Sequence, residues 1–458
     1  MPTAAELAEF LSAQRWFSGR GSPVEVGEVR TLARLQDDPL VEILLVTATP
    51  QGGATARYQV IVEVPREPVD RLDHARIGGT PGAAAEPSYD DQHHSYDALH
   101  HKEVTALFPR LIAEQATVGD VSFHLVEHAE GPQVVLDRPS IVFTGEQSNT
   151  TLAYGDAMAL KVYRQVAPGV NPDVEVHLAL DAVGCPHIAT PLGWVDCPDG
   201  VLAFLQEFLV GGTEGWESAQ ASVRDLFVEA DLHPSDVGSD FAGEAERLGR
   251  MTAEVHASLR DALPTSVLGP EQVAARVTAM RSYLAGAARE VPALEPYVAG
   301  LNRTYDELEA LARTGTRVDV QRVHGDFHLG QTLRTPAGWK VLDFEGEPAR
   351  PAAQRRAMDT PLRDVAGLLR SLDYAARLVL LDHPGDAQRA YRAAEWVAHN
   401  TEAFCAGYAA AAGRDPREDD VLLRALLTEK AVYEVVYEAR MRPAWLVLPL
   451  AAVERLAA

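Results

Sequence analysis

The run His324-Gly325-Asp326-Phe327-His328-Leu329-Gly330-Gln331 gathers two imidazoles, a carboxylate and an amide. After a turn at Pro336 and Gly338, Trp339-Lys340-Val341-Leu342-Asp343 adds a second carboxylate at the end of a β-like run. Asp326 precedes the amide Gln331 by five residues and Asp343 by seventeen. These are the parts that phosphoryl transfer uses: an acid to take the acceptor's proton, an amide that helps hold a cation, and a strand-end acid that ligates it. Such transfer depends on positioning and metal charge more than on a covalent nucleophile. Asp326 is therefore the expected base, and Gln331 and Asp343 the expected Mg²⁺ ligands. The same residues also read as a polar turn or a His-x-Asp-x-His metal site. The second acid and the upstream features weigh against that, and His328 reads as a loop-ordering hydrogen-bonder.

Upstream, Ile141 to Phe143, the turn Gly145-Glu146-Gln147-Ser148-Asn149-Thr150-Thr151 and the run Ala157 to Tyr163 carrying Lys161 predict a strand, a polar turn and a second strand. A small β lobe grips nucleotide phosphates this way, with Ser148, Asn149 and Thr150 as donors and Lys161 as the cation. The turn lacks the glycine-rich phosphate-loop patterns, and a hairpin without a ligand is the competing reading. Glu175, fourteen residues after Lys161 at the start of a helical pattern, is the expected partner that orients the lysine, with Asp173 as the second choice. An ordinary surface ion pair is the alternative. The apolar run Val201 to Phe208, ending in Gln206-Glu207-Phe208-Leu209 before Gly211-Gly212, predicts a hinge where Gln206, Glu207 and Leu209 meet the adenine edge.

Helical periodicity dominates from Thr213 onward: Glu244 to Leu259, Gln272 to Ala287, Leu294 to Ala312, Pro361 to Ala376, Pro384 to Ala411 and Val421 to Met441. Before the hairpin, a short amphipathic helix through Phe10 and Leu11 leads into β-like runs at Val41 to Thr47 and Tyr58 to Val64. Residues 70 to 95 read as an exposed loop, and His93, His94, His100 and His101 are expected to be solvated. A helix is expected near Lys102 to Ala116. The predicted fold class is α+β, bilobal and kinase-like, with an extra N-terminal β-rich cap. The expected domains are a cap at 1–90, a β-rich lobe with hairpin and hinge at 91–210, and a helical lobe with the catalytic loop and acceptor pocket at 211–458.

Composition bounds the partners. The 41 basic and 66 acidic residues of this 458-residue chain give a net charge of -25, which argues against nucleic-acid and anionic-membrane partners. Three cysteines in no metal spacing fit a reducing cytoplasm. The N-terminal Met-Pro-Thr-Ala-Ala-Glu has no basic region followed by an apolar core, so export is not expected.

Taken together, these segments resemble the actinobacterial maltokinases, relatives of the aminoglycoside phosphotransferases. The likeness runs nearly end to end. It rests on Gln14-Arg15-Trp16-Phe17, Tyr96-Asp97-Ala98-Leu99-His100, Glu146-Gln147-Ser148-Asn149-Thr150, Lys161-Val162-Tyr163-Arg164, Asp343-Phe344-Glu345-Gly346-Glu347-Pro348, Pro361-Leu362-Arg363-Asp364 and Tyr433-Glu434-Val435-Val436-Tyr437-Glu438-Ala439-Arg440. The resemblance implies ATP- and Mg²⁺-dependent phosphorylation of maltose at its anomeric hydroxyl, feeding α-glucan synthesis. It also implies a monomer, and a functional association with trehalose synthase. Asp326, His328, Glu434, Tyr437, Glu438 and Trp445 are the expected sugar contacts, against core packing and surface pairing as the alternative. Met441 stands where the family run has a polar Asn, which keeps a glucosamine or other monosaccharide kinase as the alternative. A catalytically dead sugar or nucleotide sensor is the remote one, since Asp326, Asp343 and Lys161 are all present.

Overall fold

A computed structural model describes residues 1–78, 94–143, 149–228, 232–347 and 352–458. The chain divides into two compact units: Met1–Glu175 with Ala189–Val210, and Val176–Ile188 with Gly211–Ala458.

The first unit is β-rich. Thr3 caps the helix Ala4–Ala13 in a capping box with Glu6, and Leu7, Phe10 and Leu11 form its buried face. That face meets an antiparallel sheet in which Val24–Asp37, Leu40–Pro50 and Ala56–Val64 pair in order. The 14-residue strand Val24–Asp37 escaped sequence reading because most of its residues are exposed or half-buried, so no apolar run marks it. A second, seven-stranded sheet places Met158–Val162 between Thr150–Tyr154 and Gly200–Glu207, with Lys161 opposite Thr151 and Phe204. Alternating Leu and Val side chains of these central strands are buried in one apolar cluster with Phe108 and Phe123.

Sequence reading made residues 70 to 95 a loop with solvated histidines. Its described ends differ: Asp70–Ala75 is a 3-10 turn, and Arg76–Gly78 and Ser95–Asp97 are paired strands. His101 is buried, because its Nδ1 meets the carboxylate of the equally buried Glu63 at 2.8 Å and its Nε2 meets Arg71 at 2.7 Å. His93 lies outside the described residues.

The second unit is helical. The expected helices are Ala242–Ala262, Pro270–Glu290, Val298–Arg313, Leu362–Leu378, Ala387–Ala412 and Asp420–Met441. A further helix, Gly215–Val228, was not anticipated; its buried face carries the small Gly215, Ala219 and Ser222 beside Val223 and Leu226, so few large apolar residues mark it. Two short sheets interrupt the helices: Ser266–Leu268 with Val318–Val320, and Thr213–Glu214 with Thr332–Thr335 and Gly338–Val341. Phe327, Leu329, Phe344, Val365, Leu368 and Trp396 share one core, so both chemistry-bearing loops stand on packed side chains. Among the described residues no helix is long and apolar enough to cross a membrane.

Candidate active site

In the second unit the loop carrying Asp326 is fixed from beneath. The helix Leu362–Leu378 offers its buried Asp364, which accepts backbone N–H bonds from His324 at 2.8 Å and Gly325 at 2.9 Å. His256 Nε2 donates to the same carboxylate at 3.1 Å. Burial opposes the ionised form of Asp364, but the bond from His256 and the nearby His324 outweigh it and hold the pKa below its ordinary value. Gly325 has φ +82°, a turn that an L side chain would strain, and it lifts Asp326 out of the core while Phe327 drops in.

Asp343 is tied to that loop. His324 Nε2 donates to the Leu342 carbonyl at 2.9 Å, and Leu342 N–H donates to the Gln331 carbonyl at 2.9 Å. Gln331 Nε2 donates to Asp343 Oδ2 at 3.3 Å, so the predicted pair of cation ligands stands side by side, and turning the amide over would present its oxygen there instead. Asp343 has φ +63°, the left-handed region, which turns its carboxylate away from the strand direction just left at Val341. A carboxylate oxygen of Glu345 lies within 4.8 Å of one from Asp343. Two carboxylates and an amide oxygen are an all-oxygen donor set, which suits a hard divalent cation such as Mg²⁺. Glu345 was read as part of a motif and given no role; its i+2 spacing from Asp343 was the available signal.

Asp326 opens onto a cavity of about 980 Å³ that also exposes Glu347, Glu429, Lys430, Tyr433 and Tyr437. Lys430 Nζ stands 3.1 Å from Asp326 Oδ1 and 3.0 Å from Glu347 Oε2, and Tyr433 OH donates to Glu347 Oε1. Burial raises the pKa of Asp326, but Lys430, His328 and His324 overcome it and hold the carboxyl at about 2. Burial, with Asp326 nearby, pushes Glu347 up against the opposing pull of Lys430 and Tyr433. Lys430 is raised despite burial, because Asp326 and Glu347 flank it. The cluster is therefore a carboxylate, an ammonium and a carboxylate in a row. Sequence reading missed Lys430, Tyr433 and Glu347 as site residues, although Lys430 and Tyr433 sit four and one residues before Glu434 on the chosen helix.

The expected sugar contacts divide. Tyr437 lines this cavity with Asp326. Glu434 does not line it, being bound instead to Arg370 at 2.6 and 3.0 Å. Glu438 is buried and taken by Arg442 at 2.6 Å and by the Tyr374 hydroxyl at 3.2 Å. Trp445 carries the Arg442 guanidinium 4.2 Å over its ring and is not part of the cavity wall. Helical spacing put these acids near one face. The single-residue step of about 100° from each tyrosine to the next glutamate is enough to give Tyr433 and Tyr437 to the cavity and Glu434 and Glu438 to neighbouring arginines. His328 is also away from the wall; its Nδ1 accepts the Gly330 N–H at 3.1 Å, which orders the loop.

In the first unit, Lys161 Nζ meets Asp173 Oδ2 at 2.9 Å, and Tyr163 OH donates to the same oxygen at 3.1 Å. The second-choice acid is thus on the lysine, and Glu175 follows it on the helix Pro172–Ala182. Thr150 Oγ1 accepts a bond from Arg164 at 2.8 Å, and Asn149 precedes it at the strand entry. Ser148 lies outside the described residues. Gln206 and Glu207 end the strand Gly200–Glu207. Glu207 accepts from Thr190 Oγ1 at 2.8 Å, and Leu209 is half-buried beyond it.

Comparison with known proteins gives two family matches: the maltokinase N-terminal cap domain over residues 10–100, and the phosphotransferase enzyme family over residues 228–419. A glucosamine kinase of Streptacidiphilus jiangxiensis is 30% identical over 359 residues, covering 74% of this chain and 77% of that protein. A glucosamine kinase of Mycolicibacterium smegmatis is 28% identical over 328 residues, 68% of this chain and 78% of that one. Among solved structures, a glucosamine kinase in complex with glucosamine, ADP and inorganic phosphate superposes with a TM-score of 0.66, at 22% identity over 98% of both chains. Another crystal form of a glucosamine kinase gives a TM-score of 0.69, at 22% identity over 99% of both chains. The resemblance read from the motifs and the kinase-like fold with its cap are met by these matches.

Proposed function

We propose, on the premise that the chain belongs to the phosphotransferase enzyme family and is a capped, ATP-dependent sugar kinase, that its acceptor is an amino-hexose of the glucosamine type. In the step itself, Asp326 takes the proton of one sugar hydroxyl as that oxygen attacks the γ-phosphorus of ATP. The new P–O bond forms while the bond to the β-phosphate oxygen breaks. Mg²⁺ held by Asp343, Gln331 and Glu345 would supply charge stabilisation to the phosphate oxygens. Lys161 would hold a phosphate of the nucleotide.

The observation that carries the reading is the row Asp326, Lys430, Glu347 and Tyr433 along one cavity wall. It alternates hydrogen-bond acceptors and donors at intervals of about 3 Å, which is how paired sugar hydroxyls are met. Asp326 is kept ionised by Lys430 and so is ready to accept a proton. An acceptor hydroxyl would enter between Lys430 and Asp326, exchanging one charge-assisted bond for another. The amino group of the sugar is supported by the names of both curated relatives and by the carboxylates Glu347 and Glu429 in the same wall.

Maltose, phosphorylated at its anomeric hydroxyl, is the second reading. It is favoured by the match to the maltokinase cap and by a cavity roomy enough for a disaccharide. The test is ATP consumption by the purified protein with glucosamine, maltose, glucose and an aminoglycoside, each with and without Mg²⁺. Turnover on glucosamine alone supports the first reading, and turnover on maltose alone replaces it with the second. Asp326→Asn is expected to abolish turnover and spare ATP binding; a fully active variant would remove Asp326 as the base.

A further inference from the structure

The first unit contains a buried arginine that touches three separated parts of the chain at once. Arg164 follows the Lys161 strand by two residues, and its side chain is 1% exposed. Nη2 donates to Asp97 Oδ2 at 2.5 Å, at the end of the strand Ser95–Asp97. Nε donates to Thr150 Oγ1 at 2.8 Å, at the first residue of the strand Thr150–Tyr154. The guanidinium face lies 4.8 Å from the ring centroid of Trp16, just after the N-terminal helix. Its backbone is held as well: the Arg164 carbonyl accepts the Gln59 N–H at 2.8 Å, and the next two residues pair with Tyr58 and Arg57 of the cap sheet. Gln59 also donates through its amide to the Tyr163 carbonyl at 2.7 Å.

Only a planar, multidentate cation can serve a carboxylate, a hydroxyl and an aromatic face together. A lysine there would keep the charge and lose the fork. Nη1 has no hydrogen-bond partner among the described residues.

We infer that Arg164 is a positioning residue through which the cap, by way of Trp16 and Asp97, sets the register of the Thr150 strand against the Lys161 strand. It thereby sets the geometry of the nucleotide phosphate grip. Thr150 pairs directly with Val162, and Thr151 with Lys161, so a shift of the Thr150 end is passed to the lysine through the ladder. Tyr163, between Lys161 and Arg164, carries its hydroxyl to the same Asp173 oxygen that holds the lysine. The cap is on this account a part of the nucleotide site. The inference rests on the kinase reading for what Lys161 does.

The test uses the full chain and a non-hydrolysable ATP analogue with Mg²⁺, measured by calorimetry without any sugar. Arg164→Lys is expected to weaken analogue binding about tenfold while the KM for the sugar stays within twofold. Trp16→Leu, which keeps apolar bulk, is expected to weaken binding in the same direction by about threefold. The two together should fall short of the product, because both act through one guanidinium. Unchanged analogue binding in a folded Arg164→Lys, or in Trp16→Leu should the first fail to fold, overturns the inference and leaves the kinase reading intact. Equal loss of sugar and nucleotide affinity also overturns it, because a general structural defect would do that. Absence of analogue binding by the wild-type protein removes the kinase reading and this role with it.

Discussion

Lys430→Met is the most informative single change, because Lys430 stands between Asp326 and a second carboxylate, Glu347. Its Nζ lies about 3 Å from both Asp326 and Glu347, whose side chains are 16% and 9% exposed. At that distance and an effective dielectric of 20, each contact has a gross attraction of about 5 kcal/mol, most of it offset by desolvation of the three groups. The net effect on the carboxyl is to hold it at about 2 against an ordinary 3.8, a depression worth on the order of 2 kcal/mol. With Lys430 gone, burial and the facing Glu347 both favour a proton on the pair, and its first apparent pKa should rise to about 5 or above. The assay is kcat/KM against pH, which reports the free enzyme. The wild-type profile should stay flat on the acid side down to the limit of folding. The variant should show an acid limb between about pH 5 and 6, and Lys430→Arg should move it back down. An acid limb in folded Lys430→Met that stays below pH 4 would refute the electrostatic argument.

Asp364→Ala should lower kcat at least tenfold and reduce stability by about 3 kcal/mol, since it strands two backbone N–H groups and His256; thermal unfolding and kinetics on the same sample check both. Asp343→Ala is expected to abolish Mg²⁺-dependent turnover, and a variant with unchanged metal titration would remove its ligand role. Glu434→Gln should leave the sugar KM within twofold while lowering Tm by a few degrees, because Glu434 serves Arg370 and not the cavity. His328 has a folded-state pKa lowered first by burial. The unfolded chain thus binds the proton more readily, and this contribution to stability is present above about pH 6.5 and lost as pH falls through that value toward the folded pKa. His328→Gln should flatten that part of the stability curve.

What could be read from the sequence was what local spacing encodes. The Asp326, Gln331 and Asp343 constellation lies within eighteen residues, and the structure brings the amide and second acid to 3.3 Å. The long helices announced themselves by period, and Lys161 by its place in an apolar strand. The cavity wall was less legible because it depends on how the helix Asp420–Met441 is rotated. Choosing Glu434 in place of its neighbour Tyr433 is an error of one residue, a rotation of about 100° about the helix axis, and sequence spacing alone does not fix that rotation. The arginines that claim Glu434 and Glu438, the buried Arg370 and the exposed Arg442, are 64 and 4 residues away in sequence, one too remote to foresee and the other visible only once exposure is known. The strand Val24–Asp37 was missed for a related reason, since a mostly exposed strand leaves a weak apolar pattern.

The backbone at Asp343 puts stability and activity in conflict at one position. A non-glycine residue at φ +63° costs on the order of 1 kcal/mol against glycine. Asp343→Gly would relieve that cost and, on the proposed metal site, remove a cation ligand in the same step. Drift toward an inactive descendant is therefore downhill in folding free energy here. A homologue with glycine at this position would be expected to be a firmer fold with no catalytic use for its metal, and the aspartate is retained only while phosphoryl transfer is under selection.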